Sequence, residues 1–218
     1  MSIGTCTDTL QLTSTSTGTV PLTYSWTNGA HLDNPSIESP TITNNPGAGT
    51  YEYIVTVTDV YGCIDRDTVE VVIDPSPTIT TIDAVSIGEC TDTLQLTSTS
   101  TGTVPLTYSW TRAADLDNAS IESPTITNNP GAGTYRYVVT ITDVYGCTSK
   151  DSVDVTVDPS PTIATIADVS IGTCTDTLQV TCTSTGTVPL TYSWTNGAHL
   201  DNASIESPTI TKNPGSGT

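Results

Sequence analysis

Apolar and polar positions alternate along Tyr51–Cys63, YEYIVTVTDVYGC. Tyr51, Tyr53, Val55 and Val57 share one side, and Thr and Glu mostly fill the other. A period of two marks a strand with one buried face. The Gly-Cys pair at its end predicts a turn. The pattern returns at Tyr135–Cys147 as YRYVVTITDVYGC. Other stretches alternate in the same way. Leu10 and Leu12 share a face with Cys6 and Ser14; Leu22, Tyr24 and Trp26 form another inward set; Val69, Val71 and Ile73 form a third. A short strand is expected at Thr41–Thr43. GTVP and NNPGAG break the pattern, and NGAHLDNPSIESP is turn-rich with room for a short irregular edge strand. Thr suits the outer faces, being β-branched and tolerant of water. DPSPT at Asp74–Thr78 reads as a linker stiffened by its prolines, and Ile79–Asp83 as the first strand of the next domain.

The pattern is periodic on a longer scale. Cys6, Cys90 and Cys174 are spaced by 84 residues, as are Trp26, Trp110 and Trp194, and Cys63 and Cys147. A unit of that size is a whole small β domain, so the chain reads as an array of beads. The expected domains are residues 1–74, lacking a leading strand; 75–158, complete; and 159–218, lacking the last two strands. The chain is expected to be a segment of a longer one.

Seven or so short strands, regular turn signals and a Trp on the third strand predict an all-β chain of tandem β-sandwiches of immunoglobulin type. The pairing of YSW with YxYxVTVTDxxGC resembles polycystic-kidney-disease-type (PKD-like) and related immunoglobulin-like repeats. It is most similar to those of very large bacterial surface adhesins, such as the gliding-motility adhesins of Bacteroidetes. The resemblance covers each 84-residue unit. Many PKD domains follow YSW with a DFGDG-like run, whereas this chain has TNGAHLD or TRAADLD. The resemblance implies an exported stalk or adhesin module, arranged as a linear array, with no catalytic residues.

Charge and composition narrow the partners. Asp and Glu number 23 against 5 Lys and Arg, a net charge of -18. Nucleic acid and anionic membrane surfaces, which both need clustered cations, are not expected as partners. No apolar run approaches a membrane span. Met1–Thr5 has neither the basic start nor the apolar core of a signal peptide. Two histidines, His31 and His199, share one repeat position with Asp115 and are expected in exposed loops. They leave nothing on which to build a Ser-His-Asp or Cys-His centre. The chain is therefore not expected to be an enzyme.

Five cysteines are disulfide candidates: Cys6, Cys63, Cys90, Cys147 and Cys174. Two pairings are open. Cys6–Cys63 and Cys90–Cys147 would each close one domain. In an immunoglobulin-type sandwich, however, the second and sixth strands run parallel, which puts those cysteines at opposite poles roughly 25–30 Å apart. A disulfide needs Cα atoms within about 7 Å. The poles of successive domains do meet, so Cys6–Cys147 across a junction is the other pairing. Cys90 and Cys63 would then bond cysteines beyond Thr218 and before Met1. Either pairing points to an extracellular, cell-surface location. Cys182 replaces Ser14 and Ser98 on a core-facing position and is expected to be a buried free thiol.

Calcium is the one cofactor with candidate ligands. Asp74 and Asp83 flank one linker, Asp158 and Asp168 the other, and Asp59 and Asp143 end the sixth strand. For Asp59 and Asp143, hydrogen bonding within the following turn is the competing role. Asp followed by Thr or Ser and an aliphatic residue resembles an O-glycosylation signal of exported Bacteroidetes proteins, with acceptors Thr9, Thr68, Thr93, Ser152 and Thr177. Asn118 and Asn202 head N-x-S sequons. The expected role is a stiff stalk in a surface adhesin or fibre. A self-polymerising filament subunit is the first alternative, and a spacer or carbohydrate-binding module of a secreted hydrolase the second. Expected partners are neighbouring repeats, identical subunits and surface glycans.

Overall fold

The computed structural model describes residues 1–7, 9–81, 83–90, 93–164, 166–171 and 177–211. In the first repeat the strands are β1 (Ser2–Gly4), β2 (Leu10–Gln11), β3 (Thr23–Trp26), β4 (Thr41–Ile42), β5 (Gly49–Thr58) and β6 (Ile64–Asp74). They form a sheet ordered β1-β6-β5-β3 and a second, β2-β4. β1 lies parallel to β6, and the other pairs are antiparallel. The second repeat supplies β7 (Thr78–Thr81), β8 (Val85–Gly88), β9 (Leu94–Gln95), β10 (Ser98–Thr101), β11 (Thr107–Trp110), β12 (Thr125–Ile126), β13 (Gly133–Thr142) and β14 (Thr148–Asp158). Its sheet β11-β13-β14-β8 repeats the order of the first, with the pairs β12-β9 and β10-β7 beside it. The third supplies β15 (Thr162–Ile163), β16 (Leu178–Gln179), β17 (Ser184–Thr185) and β18 (Thr209–Ile210), paired β15-β17 and β16-β18. The turn-rich NGAHLD segment holds a one-turn 3-10 helix at Gly29–His31, after which Leu32 bridges to Ile42.

The chain divides into two compact units. One comprises Met1–Asp83, Gln95–Thr127 and Arg136–Val153; the other Ala84–Leu94, Asn128–Tyr135 and Asp154–Thr218. Their borders fall inside the second repeat.

In the first unit the alternation seen in the sequence becomes burial. Ile3, Leu12, Trp26, Leu32, Ile42, Tyr53, Val55, Val71 and Ile73 pack as one core. Each large side chain so buried contributes roughly 2–3 kcal/mol. The Trp26 indole N–H donates to the Ile37 carbonyl at 3.0 Å, and Trp110 repeats the bond to Ile121. Pro77 of the linker is buried. Gly102 lies against it so closely that a Cβ would stand 2.8 Å from the Pro77 ring, and its φ is +150°. Only glycine meets both conditions.

In the second unit Val155, Val157, Val180 and Cys182 are buried. Cys182 is a free thiol, as its core-facing position implies. Its amide donates to Ser207 Oγ at 3.0 Å. The equivalent Ser14 and Ser98 hydroxyls donate to the carbonyls of Glu38 and Glu122.

The core tyrosines correct the expectation for His31. Tyr53 is fully buried, and a buried hydroxyl needs a partner. His31 supplies it through Nδ1 at 3.2 Å and packs edge-on to the Tyr51 and Tyr53 rings. It is a structural partner of the core rather than an exposed loop residue. In the second repeat the Tyr137 hydroxyl donates to Asp115 Oδ2 at 3.1 Å. Arg112 Nε binds the same oxygen at 2.7 Å, with its guanidinium 5.6 Å from the Tyr137 ring centre. Arg112 and Asn28 both sit at positive φ, near 55°, before the 3-10 turn. Asn adopts that conformation readily. Arg is held there by the ion pair. Asn28 with His31, and Arg112 with Asp115, are thus two matched solutions to one buried hydroxyl.

Two outcomes test this packing. His31→Asp alone places a carboxylate at Tyr53 without a guanidinium and should destabilise by about 1–3 kcal/mol; adding Asn28→Arg should restore most of that loss. Additive effects in a denaturation double-mutant cycle would refute the pairing. The second concerns β7, whose Thr81 amide and hydroxyl both donate to Asp151 Oδ2 at 2.8 Å. The Thr81 amide, with help from the Ser152 amide, holds the Asp151 carboxyl below the usual range. Because the folded value is the lower one, the tie is complete above the unfolded value of about 3.9 and is lost as pH falls through the folded value. Hydrogen exchange at Thr81, corrected for its intrinsic rate, should lose protection in that acid window in the wild type; Asp151→Asn should remove this step.

Candidate functional site at the disulfide-bonded turn

The sequence DVYGC builds the same turn twice. Asp143 N–H donates to the Cys147 carbonyl at 3.0 Å and Gly146 N–H to the Asp143 carbonyl at 3.1 Å. Asp143 Oδ1 accepts from the amides of Tyr145 and Cys147, each at 2.9 Å. Asp59 makes the same pair of bonds to Tyr61 and Cys63. Gly62 and Gly146 both have φ of +83°, which requires glycine at the tip. The hydrogen-bonding role anticipated for Asp59 and Asp143 is therefore the one they fill. Each turn presents a Tyr and a Cys on a preformed loop.

What the two turns meet differs. The Asp143–Cys147 turn is received by the end of β1 and the end of β6. Tyr145 Oη lies 2.7 Å from Ser2 Oγ and donates to Asp74 Oδ2 at 3.1 Å. Cys147 is 1% exposed and is disulfide-bonded to Cys6, with Cα atoms 5.4 Å apart. Cys6 N–H points at the Cys147 sulfur at 3.3 Å. Gly4 makes the approach possible: a Cβ there would stand 2.6 Å from Cys147 Sγ and 2.8 Å from Tyr145 Cβ. Sealing the turn also encloses Asp143 Oδ2 without a hydrogen-bond partner. That oxygen is a cost which the surrounding contacts must exceed. The Asp59–Cys63 turn, by contrast, leaves Tyr61 79% exposed and Cys63 an exposed free thiol.

The within-domain pairings Cys6–Cys63 and Cys90–Cys147 do not form; Cys63 and Cys90 are both free. The reason lies in the β6 register. Gly4 pairs with Asp74 at one end of β6, while Thr58 pairs with Ile64 at the other. The ends of this strand are about 33 Å apart. Cys174 lies outside the described residues.

No protein-family profile matches the chain, and no curated protein sequence matches it. Solved structures do. A three-domain immunoglobulin fragment of titin, a glutamate-to-alanine variant, is 12% identical, with a TM-score of 0.50 over 98% of this chain and 86% of that one. Sidekick-1 immunoglobulin domains 1–5 are 14% identical, with a TM-score of 0.38 over 97% of this chain and 52% of that one. The extracellular domains 3–5 of Drosophila OTK are 10% identical, with a TM-score of 0.34 over 97% and 85%. The chain is a tandem of immunoglobulin-like β-sandwiches. The titin match supports that fold alone.

The remaining candidates are not gathered into a site. Among the described residues, no three His, Cys, Asp or Glu side chains are placed to hold a metal ion. Asp59 and Asp143 cap turns, Asp74 accepts from Tyr145, and Asp158 Oδ2 accepts from Ser86 Oγ at 3.3 Å. Asp83 and Asp168 are exposed. Of the glycosylation acceptors, Thr9, Thr68, Thr93 and Thr177 are exposed. Ser152 is half-buried, and its hydroxyl is taken by Arg136 Nε and Nη2 at 3.1 and 2.7 Å. No helix among the described residues is long and apolar enough to cross a membrane.

Ser2, Gly4 and Tyr145 escaped the sequence reading. Their signal was present: each returns at the 84-residue spacing, as Ser86, Gly88 and Tyr61. Gly4→Ala should cost about 1–3 kcal/mol through overpacking and lower the yield of the Cys6–Cys147 bond in a fixed thiol-disulfide buffer. Disulfide peptide mapping reads that yield; a wild-type yield would show that the close approach is not required.

Proposed function

We propose that this chain is a structural segment of an extracellular surface adhesin or fibre, acting as a stiff stalk whose repeats are covalently tied together. The observation that carries this reading is the Cys6–Cys147 bond, which spans 141 residues and joins the first repeat to the turn of the second. Tension applied at the ends of the chain passes from Cys6 directly to Cys147. Everything between them is shielded from load. The linker adds stiffness, since Pro77 is buried against Gly102. Disulfides persist in oxidising surroundings, which supports an exported location. The partners in this role are neighbouring repeats of the same kind, and the excess of 23 acidic over 5 basic residues keeps the surface soluble.

Single-molecule stretching from the two termini tests the load path. Under oxidising conditions the length gained on unfolding should exclude the loop of 141 residues. Reductant, or Cys6→Ser, should add about 500 Å of contour length. If reductant adds no length, the bond does not carry load and the stalk reading loses its basis.

A further inference from the structure

The Cys6–Cys147 bond has two unlike ends. Cys147 is 1% exposed. Gly4 backs its sulfur so closely that a Cβ there would stand 2.6 Å from it, and Tyr145 closes on the same glycine at 2.8 Å. Cys6, by contrast, is exposed. A thiolate attacks a disulfide along the S–S axis, from behind the sulfur it will bond, so access decides which sulfur is hit. Solvent reaches this bond at its Cys6 end, while the Cys147 end is enclosed.

The sulfur that leaves in such an attack is held where it stands. Cys6 N–H points at Cys147 Sγ at 3.3 Å and can donate to a thiolate there. The turn that carries Cys147 keeps its shape without the bond, because Asp143 Oδ1 accepts from the amides of Tyr145 and Cys147 at 2.9 Å each. Tyr145 Oη fastens that turn to Ser2 Oγ at 2.7 Å and to Asp74 Oδ2 at 3.1 Å. Ser2 and Asp74 belong to the frame that positions Cys6. Gly4 pairs with Asp74 in the parallel β1-β6 ladder, and Thr5 N–H donates to the Asp74 carbonyl at 2.9 Å. Both cysteines therefore stay on one hydrogen-bonded frame when the S–S bond is broken.

We infer that the Cys6–Cys147 bond is a reversible lock worked from one side: an external thiol forms its adduct on Cys6 alone, and the seated turn keeps Cys147 in place to expel it. The attacking thiolate bonds Cys6 Sγ, the Cys6–Cys147 bond breaks, and Cys147 leaves as a thiolate with the bonding pair. Reclosure is the reverse step, in which Cys147 attacks Cys6 Sγ and releases the external thiolate. Full opening takes a second external thiolate, which attacks the external sulfur of the adduct and frees Cys6. Two external thiols are then oxidised to one disulfide, the protein disulfide is reduced by two electrons, and the two protons from the external thiols end on Cys6 and Cys147. The lock rests on the stalk reading above and adds a control to it. Brief contact with a monothiol leaves the junction closed, whereas sustained reductant exposes the loop between the two cysteines to load.

The test uses the full chain carrying Cys63→Ser, Cys90→Ser, Cys174→Ser and Cys182→Ser, which leaves Cys6 and Cys147 as its only cysteines. The protein is mapped before any thiol is added, then exposed to reduced glutathione, quenched in acid, alkylated with a maleimide and cut with a Glu/Asp-specific protease. Glutathione should sit on the Met1–Asp8 peptide, at about tenfold or more over the Val144–Asp151 peptide. Tyr145→Phe keeps the ring but loses the hydroxyl that fastens the turn. It should raise the standing Cys6 adduct about tenfold, equivalent to 1.4 kcal/mol. Glutathione on Cys147, equal labelling of both cysteines, a bond that glutathione never opens, or an unchanged adduct in Tyr145→Phe would each overturn the inference and leave the stalk reading standing. A starting protein without the Cys6–Cys147 peptide would overturn both.

Discussion

The structure depends on one close approach. The Asp143–Cys147 turn comes near enough to Gly4 that no side chain fits there, and only at that distance can Cys147 bond Cys6. Closing a loop of 141 residues removes chain entropy from the unfolded state, worth roughly 5 kcal/mol in the simplest treatment. The bond is not needed to order the turn: Asp143 and a positive-φ glycine organise the loop internally, and the same loop stands fully formed at Asp59–Cys63 without a disulfide.

Folding of the turn is thus separate from its joining to a neighbouring repeat. Each turn folds on local hydrogen bonds, and each receiving surface on the parallel pairing of a short strand with the last long one. Where the two meet, Tyr145 bridges Ser2 and Asp74; where they do not, Ser86 falls back on Asp158. Seating the turn leaves one buried side-chain oxygen, Asp143 Oδ2, without a partner among the described residues. A net charge of -18 makes long-range attraction between copies unavailable. What holds the seated turn is short-range: a tyrosine hydroxyl, a glycine gap and a disulfide.

The cores show the same economy. A buried tyrosine hydroxyl recurs at positions 53 and 137, and each copy answers it differently, with His31 or with Asp115 held by Arg112. Comparing the copies position by position makes His31 and Asp115 look like drift on a solvated loop. In three dimensions both meet the buried tyrosine hydroxyl, and the charge of Asp115 is compensated locally by Arg112.

The sequence by itself determined the strands, the repeat and the fold class, because alternation and turn residues act over a few positions and every copy repeats them. It also narrowed the cysteines to two arrangements, within a domain or across a junction, because the 84-residue repeat returns them at fixed places in each domain. What it could not determine is anything that depends on two distant segments arriving at one point. Gly4 reads as a loop glycine until Tyr145 stands against it. His31 reads as exposed until Tyr53 lies beneath it. Asp74 gives no sign of the tyrosine it binds until Tyr145 reaches its oxygen. Only the tertiary structure chose between the two disulfide pairings, because that choice is set by which poles meet across a junction, a relation between segments about 140 residues apart that no local pattern encodes.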